Sequence, residues 1–243
     1  MERLDDLQTG GLRILQDTDL FCFSTDAVLL ADYARVQPRD RVIDFGAAGG
    51  ILDLLMYARQ PNAHYTAVEL QPALYSLLVR NIALNGLERF ITPVAGDIKD
   101  VKLQNGRHYD VCVCNPPYEK TAQGEARQSP SQEAARKEVC ITLAEICQQA
   151  ARILRFGGRF YICSPASRLA ELCFDLKSCG LEPKTMRLVQ AAPEREARLA
   201  LLMAARGGRE GMRVEPPLCL RDGNGRESAE LHKIYSRGEN CGD

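Results

Sequence analysis

The chain is short of metal ligands. It has three histidines in 243 residues (His64, His108 and His232), and its ten cysteines include no Cys-x-x-Cys pair. Structural zinc draws on closely spaced Cys and His, so no resident metal is expected. Long apolar runs are missing too. No stretch approaches the roughly 18 residues that a membrane-spanning helix requires. The opening residues Met1-Glu2-Arg3-Leu4-Asp5-Asp6 are polar and acidic, unlike the basic and then apolar start of a secretory signal. Neither sign of charge is in excess. A formal net charge of −1 makes no overall demand for nucleic acid and leaves a local basic face open. Most of the cysteines sit inside apolar runs, where Cys acts as a small hydrophobe. A disulfide framework is not expected at this size, and reduced thiols point to the cytoplasm.

What the chain does have is alternation. Apolar residues make up 45% of it, enough for an ordinary packed interior. After a turn at Pro38-Arg39-Asp40, β-prone runs at 41–45, 64–69, 91–95, 109–114 and 159–163 alternate with helical stretches at about 50–59, 72–84, 133–154 and 167–179. Two further strands lie near 184–190 and 198–205. Pro93 weakens the third of these strands. Such an order implies an α/β fold, with a mostly parallel sheet covered by helices on both faces. Ahead of it, residues 12–16 and 20–23 read as a hairpin around Asp17-Thr18-Asp19. Ser24, Thr25 or Asp26 can cap a helix through 27–33. The polar stretch 119–132 reads as a long loop of the kind that covers active sites. The length suits one large domain. The expected unit spans 1–243, with the hairpin and first helix over 1–38, a core over 39–206 and a tail over 207–243 packed on it.

The most informative residues are Asn115-Pro116-Pro117-Tyr118. They follow Tyr109-Asp110-Val111-Cys112-Val113-Cys114, a run typical of a buried parallel strand. Two prolines end that strand, because neither has an N–H and both fix φ near −65°. Asn115, preceding a proline, is held extended. The turn thus offers a side-chain amide, free carbonyls and an aromatic ring at the C-terminal end of a strand, where open α/β sheets bind ligands. This set suits methyl transfer to a planar nitrogen. Such a nitrogen is a poor nucleophile, since its lone pair is delocalised. The Asn115 side-chain oxygen and the Pro116 carbonyl can accept both of its N–H groups and favour tetrahedral geometry as it attacks. Tyr118 can stack on the planar group and hold it in line.

A second site precedes it. Val42-Ile43-Asp44-Phe45-Gly46-Ala47-Ala48-Gly49-Gly50-Ile51 runs from a strand through a glycine turn into a helix. Glycines allow a ligand close to the main chain, and a helix N-terminus favours anionic groups. The turn does not follow the G-x-G-x-x-G pattern, and Asp44 would repel a pyrophosphate. A cationic cofactor containing an amino acid fits better, with Asp44 orienting its ammonium. Glu69 ends the next strand and can take both hydroxyls of a ribose. Asp97 follows the third strand and can accept from an adenine amino group. In this order the residues suit S-adenosylmethionine.

With these motifs the chain resembles class I S-adenosylmethionine-dependent methyltransferases that modify planar nitrogens. It is most similar to the bacterial tRNA1(Val) (adenine-N6)-methyltransferases, which act on the purine just 3′ of the anticodon. The resemblance also includes Phe21-Cys22-Phe23-Ser24-Thr25-Asp26-Ala27-Val28-Leu29-Leu30-Ala31, then Ala135-Arg136-Lys137-Glu138, Pro216-Pro217, Asp222-Gly223-Asn224 and Ile234-Tyr235. It implies a Rossmann-like, seven-stranded, mostly parallel sheet with strand 41–45 central and the last strand antiparallel. It implies a cofactor site of Thr25, Asp44, Gly46, Gly50, Glu69, Asp97 and Asn115. Asn115, Pro116, Pro117 and Tyr118 would be catalytic, with tRNA as the partner. Flanking RNA phosphates would meet Arg187, Arg206, Arg209 and Arg213. The chain departs from the family in three places. Ala48 replaces the middle glycine of the turn, Lys137 stands where His is frequent, and 190–198 carries Glu194 and Glu196 in place of a Pro/Lys-rich stretch. Asn-Pro-Pro-Tyr is shared with enzymes acting on rRNA, DNA and protein glutamine, so these acceptors stay open, as does a non-catalytic relative.

Overall fold

The structure is a computed structural model that describes residues 1–20, 22–103, 106–117 and 141–236. It opens with a hairpin, but not the expected one. Strand β1 (Glu2–Asp6) pairs antiparallel with β2 (Arg13–Asp17), so β2 turns to the charged segment before it; of the expected partner 20–23, residues 20, 22 and 23 form no strand and residue 21 lies outside the described residues. The connection explains the choice. Gln8, Gly10 and Gly11 all take positive φ, and Leu7 N–H donates to Leu12 O at 2.9 Å, which folds the chain back on itself.

Helix α1 (Thr25–Tyr33) follows and leads into strand β3 (Arg41–Phe45). Helix α2 (Ile51–Arg59), strand β4 (His64–Glu69), helix α3 (Pro72–Leu84), strand β5 (Ile91–Ala95) and strand β6 (Tyr109–Cys114) then alternate as expected. Pro72 occupies the first turn of α3, where its missing N–H costs nothing. Helix α4 (Leu143–Ile153) starts later than the expected 133. Thr142 and Glu145 form a capping box: Thr142 Oγ1 accepts from Glu145 N–H at 3.2 Å, and Glu145 Oε2 accepts from Thr142 N–H at 2.8 Å. Residues 133–140 of the expected helix lie outside the described residues. Strand β7 (Leu154–Pro165), helix α5 (Leu169–Ser178), strand β8 (Leu181–Gln190) and strand β9 (Ala197–Arg206) complete the core. Two short strands, β10 (Arg213–Val214) and β11 (Leu218–Cys219), precede helix α6 (Ala229–Ser236).

Strands β5, β4, β3, β6 and β7 lie side by side in parallel, and β9 runs antiparallel between β7 and β8. The antiparallel strand is the one expected. Pro93 sits in β5, at the edge of the sheet, where a missing donor is tolerated. Nine strands, not seven, make up the sheet among the described residues. The two additions are β10 and β11, which return along the outer edge of β8 and cover main-chain groups left there unpaired.

Alternation along each strand builds a core on both faces. Val42, Val111 and Val113 point to one side, which α1, α2 and α3 cover, and Leu231 and Ile234 of α6 join it. Ile43, Phe45, Cys112 and Cys114 point to the other, under α4 and α5. No helix among the described residues is long and apolar enough to cross a membrane. Nor do these residues contain a His/Cys/Asp/Glu group suited to a metal ion.

Candidate active site

Parallel register brings four strand ends into one row. Phe45 stands opposite both Val68 and Cys114, and Glu69 stands opposite Ala95. Gly46, Glu69, Gly96 and Asn115 therefore share one edge across three inter-strand gaps, about 14 Å in all. It is the edge at which ligands bind to open α/β sheets.

The glycine turn is built for close approach at one point and for packing at another. Gly46 has φ +73°, and nothing lies within 4 Å of where a side chain would begin, so its main chain is open to a ligand. Gly50 has φ +86°, but a Cβ there would come within 2.7 Å of Leu78 Cδ1. Its missing side chain lets α2 close onto α3. Between them Ala48 is left-handed, at φ +48°. An L-residue pays about 1–2 kcal/mol for that conformation. Its N–H is held by Glu69 Oε2 at 2.8 Å. Replacing Ala48 by Gly relieves this strain, less the extra freedom of glycine when unfolded, about 0.5–1 kcal/mol. Ala48→Gly is expected to raise unfolding free energy by up to about 1 kcal/mol, measured by urea titration, without loss of cofactor affinity. A lower urea midpoint would contradict a strained turn.

Glu69 is buried, and both oxygens are already in use. Oε2 takes the Ala48 N–H and Oε1 takes the Gln71 N–H at 2.7 Å. A carboxylate oxygen accepts twice, so each retains a position for a hydroxyl. Burial pushes its pKa up, against the pull of the main-chain donors. Asp97 is half-buried. Its Oδ1 accepts from Lys99 N–H at 2.9 Å, and Oδ2 lies 3.4 Å from Lys99 Nζ. Thr25, the first residue of α1, accepts at Oγ1 from the Tyr235 hydroxyl of α6 at 3.5 Å. Asp44 is fully buried on β3.

Asn115 is half-buried, Pro116 buried and Pro117 exposed. Cys163 Sγ, on β7, donates to Asn115 Oδ1 at 3.0 Å. Tyr118, loop 119–132 and Lys137 lie outside the described residues. The arginines expected to face RNA are mostly committed elsewhere. Arg187 holds both oxygens of Glu230 at 2.8 Å, Arg206 donates to Leu154 O, and Arg213 pairs with Glu215 at 2.7 Å.

Residues outside the expected site shape it. Asn81 of α3 is fully buried: Nδ2 donates to Gly49 O at 2.9 Å and to Leu15 O at 3.0 Å, and Oδ1 accepts from Leu15 N–H at 2.7 Å. Asn85 treats Arg13 in the same way, at 2.9 and 2.7 Å. Together they dock the hairpin beside the glycine turn. An asparagine inside α3, where Asn is a poor helix former, and a second four residues on at its C-cap are the signal that could have found them.

The family model for the methyltransferase small domain matches residues 22–171, more than half of the chain. The chain belongs to this family, and it is an S-adenosylmethionine-dependent methyltransferase with the class I fold. It is similar to the tRNA1(Val) (adenine(37)-N6)-methyltransferase of Shewanella amazonensis, 29% identical over 202 residues that cover 83% of this chain and 84% of that one. The enzyme of the same name from Porphyromonas gingivalis is 26% identical, over 73% of this chain and 71% of its own. Among solved structures, a predicted O-methyltransferase from Agrobacterium tumefaciens superposes with a TM-score of 0.68 at 20% identity, over 87% of this chain and 95% of that one. A geranyl diphosphate methyltransferase in complex with the cofactor gives 0.54 at 14% identity, over 75% of this chain and 84% of that one. These two likenesses concern the fold.

The residues present fit the cofactor. A buried carboxyl at Asp44, open main chain at Gly46 and an acceptor pair at Glu69 match an ammonium, a carboxylate-bearing chain and a diol.

Proposed function

We propose that the enzyme methylates the exocyclic N6 of an adenine in tRNA, at the purine 3′ of the anticodon. The observation that carries this reading is the position of Asn115. Its amide stands at the same sheet edge as Gly46 and Glu69, on the strand next to the glycine turn, with Pro116 directly after it.

S-adenosylmethionine supplies a methyl group on a sulfonium, an electrophile that needs no further activation. Glu69 takes the ribose hydroxyls, Asp97 the adenine amino group, and Asp44 the ammonium, while the Gly46 main chain admits the amino-acid portion. Thr25 borders the site from α1, and Gly50 sets the start of α2. Asn115 Oδ1 and the Pro116 carbonyl accept the two N6 hydrogens. As the nitrogen gives up its lone pair, these hydrogens become more acidic and the two bonds strengthen, which lowers the barrier. Tyr118 stacks on a base extruded from its neighbours, and Pro117 stiffens the turn between them. No strong general base is required, since the alkylated amine loses its proton readily to water. A cytoplasmic location accords with tRNA as the substrate.

The test is methyl transfer to bulk tRNA from cells lacking the gene, followed by nucleoside analysis. N6-methyladenosine at the position next to the anticodon is expected. Transfer to rRNA, DNA or a protein glutamine but not to tRNA would move the acceptor, and cofactor binding without any transfer would remove the catalytic reading. Tyr118→Ala is expected to reduce kcat/KM roughly 10- to 100-fold, as loss of stacking costs about 1–3 kcal/mol per base. Tyr118→Phe keeps the ring and should retain most activity.

A further inference from the structure

Ala48 is held in a conformation it does not favour. Its φ of +48° is left-handed, and a residue other than glycine keeps such a conformation only where its surroundings impose it. Main-chain bonds fix the start of the turn: the N–H groups of Gly46 and Ala47 both donate to Val68 O, at 3.0 and 2.9 Å. Beyond that point, among the described residues, two side chains hold it. Glu69 Oε2 accepts from Ala48 N–H at 2.8 Å, and Asn81 Nδ2 donates to Gly49 O at 2.9 Å. These bonds grip the chain on either side of the Ala48 Cα. Packing does not replace them, since Ala48 and Gly49 border a narrow apolar gap together with Leu15, Phe23 and Leu77.

Asn81 is itself firmly placed. It is fully buried, and its Nδ2 donates to two carbonyls, Gly49 O and, at 3.0 Å, Leu15 O. Oδ1 accepts from Leu15 N–H at 2.7 Å. A flipped amide would set an oxygen against both carbonyls, so one orientation serves all three bonds. Leu15 of β2 thus braces Asn81 from behind. Asn85 supplies a contrast. It makes the same pair of bonds to Arg13, at 2.9 and 2.7 Å, but its other bond goes to Asn81 O within α3 and not to the turn.

We propose that Asn81 is a positioning residue for the cofactor: its bond to Gly49 O keeps Ala48 left-handed and the Ala48 N–H on Glu69, which presets that carboxylate for the ribose. Without Asn81 the turn relaxes, and Glu69 loses one of the two main-chain donors that orient it. Binding must then restore the strained form, and apparent affinity falls by the fraction of protein that holds it. The hairpin, through Leu15, supports the cofactor site from outside residues 22–171, the part that the family model matches. This rests on Glu69 meeting the ribose.

The experiment is calorimetric titration of the full chain with S-adenosylhomocysteine, well below the melting point of each variant, so that overall stability does not enter. Asn81→Ala should bind about tenfold more weakly than wild type, the factor that matches the cost of a left-handed alanine. Asn81→Leu, which fills the space without a polar atom, should do the same. Asn85→Ala loosens the same hairpin but leaves the turn as it is, and should bind within about twofold of wild type. Ala48→Gly added to Asn81→Ala should recover affinity to within about threefold, because glycine takes positive φ without strain. A purely structural loss at Asn81 would not respond to that second change.

Both Asn81 variants should melt below wild type, since three buried main-chain groups lose their partner. Wild-type affinity in the Asn81 variants, an equal loss in Asn85→Ala, or no recovery with Ala48→Gly overturns the proposal. Glu69→Ala run in parallel separates the two readings. If it binds as wild type does, the ribose site falls and this inference with it. If it binds weakly while the Asn81 variants bind normally, only the role of Asn81 falls.

Discussion

Asn115→Ala is expected to lower methyl transfer about 100-fold or more and to leave cofactor affinity close to wild type. The asymmetry follows from when the bond matters. The acceptor at Oδ1 gains strength only while the attacking nitrogen changes geometry, and interactions of that kind appear in kcat more than in binding. The structure adds that Oδ1 is already oriented, since the Cys163 thiol donates to it at 3.0 Å. Single-turnover transfer to unmethylated tRNA, with cofactor affinity measured in parallel, checks this. Near-normal turnover combined with collapsed cofactor binding would assign the turn to the cofactor instead.

Glu69→Gln is expected to weaken cofactor binding at least tenfold, and to be little better than Glu69→Ala. Loss of a charge-assisted hydrogen bond costs about 1.5–3 kcal/mol, and two ribose hydroxyls depend on this group. A neutral amide is conservative by size alone. Here both carboxylate oxygens face main-chain donors, Ala48 N–H and Gln71 N–H. The amide nitrogen of Gln must oppose one of them, donor against donor, so the strained residue of the glycine turn or the start of α3 loses its anchor. The variant should therefore also melt below wild type. Calorimetric titration with S-adenosylhomocysteine gives the affinity. An unchanged value would take Glu69 out of the cofactor site.

Most of the sheet was legible because its strands bury both faces and its helices bury one, patterns that survive in apolar spacing. The failures share a cause. Strand β1 is exposed along most of its length. Apolar alternation says nothing about a strand that buries little, and the turn at Gln8 to Gly11 was the better guide. The start of α4 was written as Thr142-Leu143-Ala144-Glu145, a capping box, but the helix-favouring Ala135-Arg136-Lys137-Glu138 before it drew the boundary too early. The arginines on the C-terminal side were read as phosphate contacts from their number; the structure adds ion pairs that number does not show, Arg187 with Glu230, which is distant in sequence, and Arg213 with nearby Glu215. At the site, the strand-end acids and glycines could be named because position along an α/β chain implies position at the sheet edge. Asn81 and Cys163 could not, because each acts across elements distant in sequence.

The two asparagine clamps on β2 also bear on how the hairpin avoids unwanted partners. Four residues of helix advance about 6 Å. Two residues of strand advance about 6.7 Å. Asn81 and Asn85 can thus meet Leu15 and Arg13 with the same pair of bonds, each amide imitating the peptide group of a neighbouring strand. The free border of a two-stranded ribbon is ordinarily a template for another chain's strand, and so an invitation to aggregation. In this protein that border is closed by side chains from a helix. A slip of β2 by one residue would forfeit both amides at once, so the spacing of the two asparagines sets the ribbon's register and closes its β2 border to strands of other molecules.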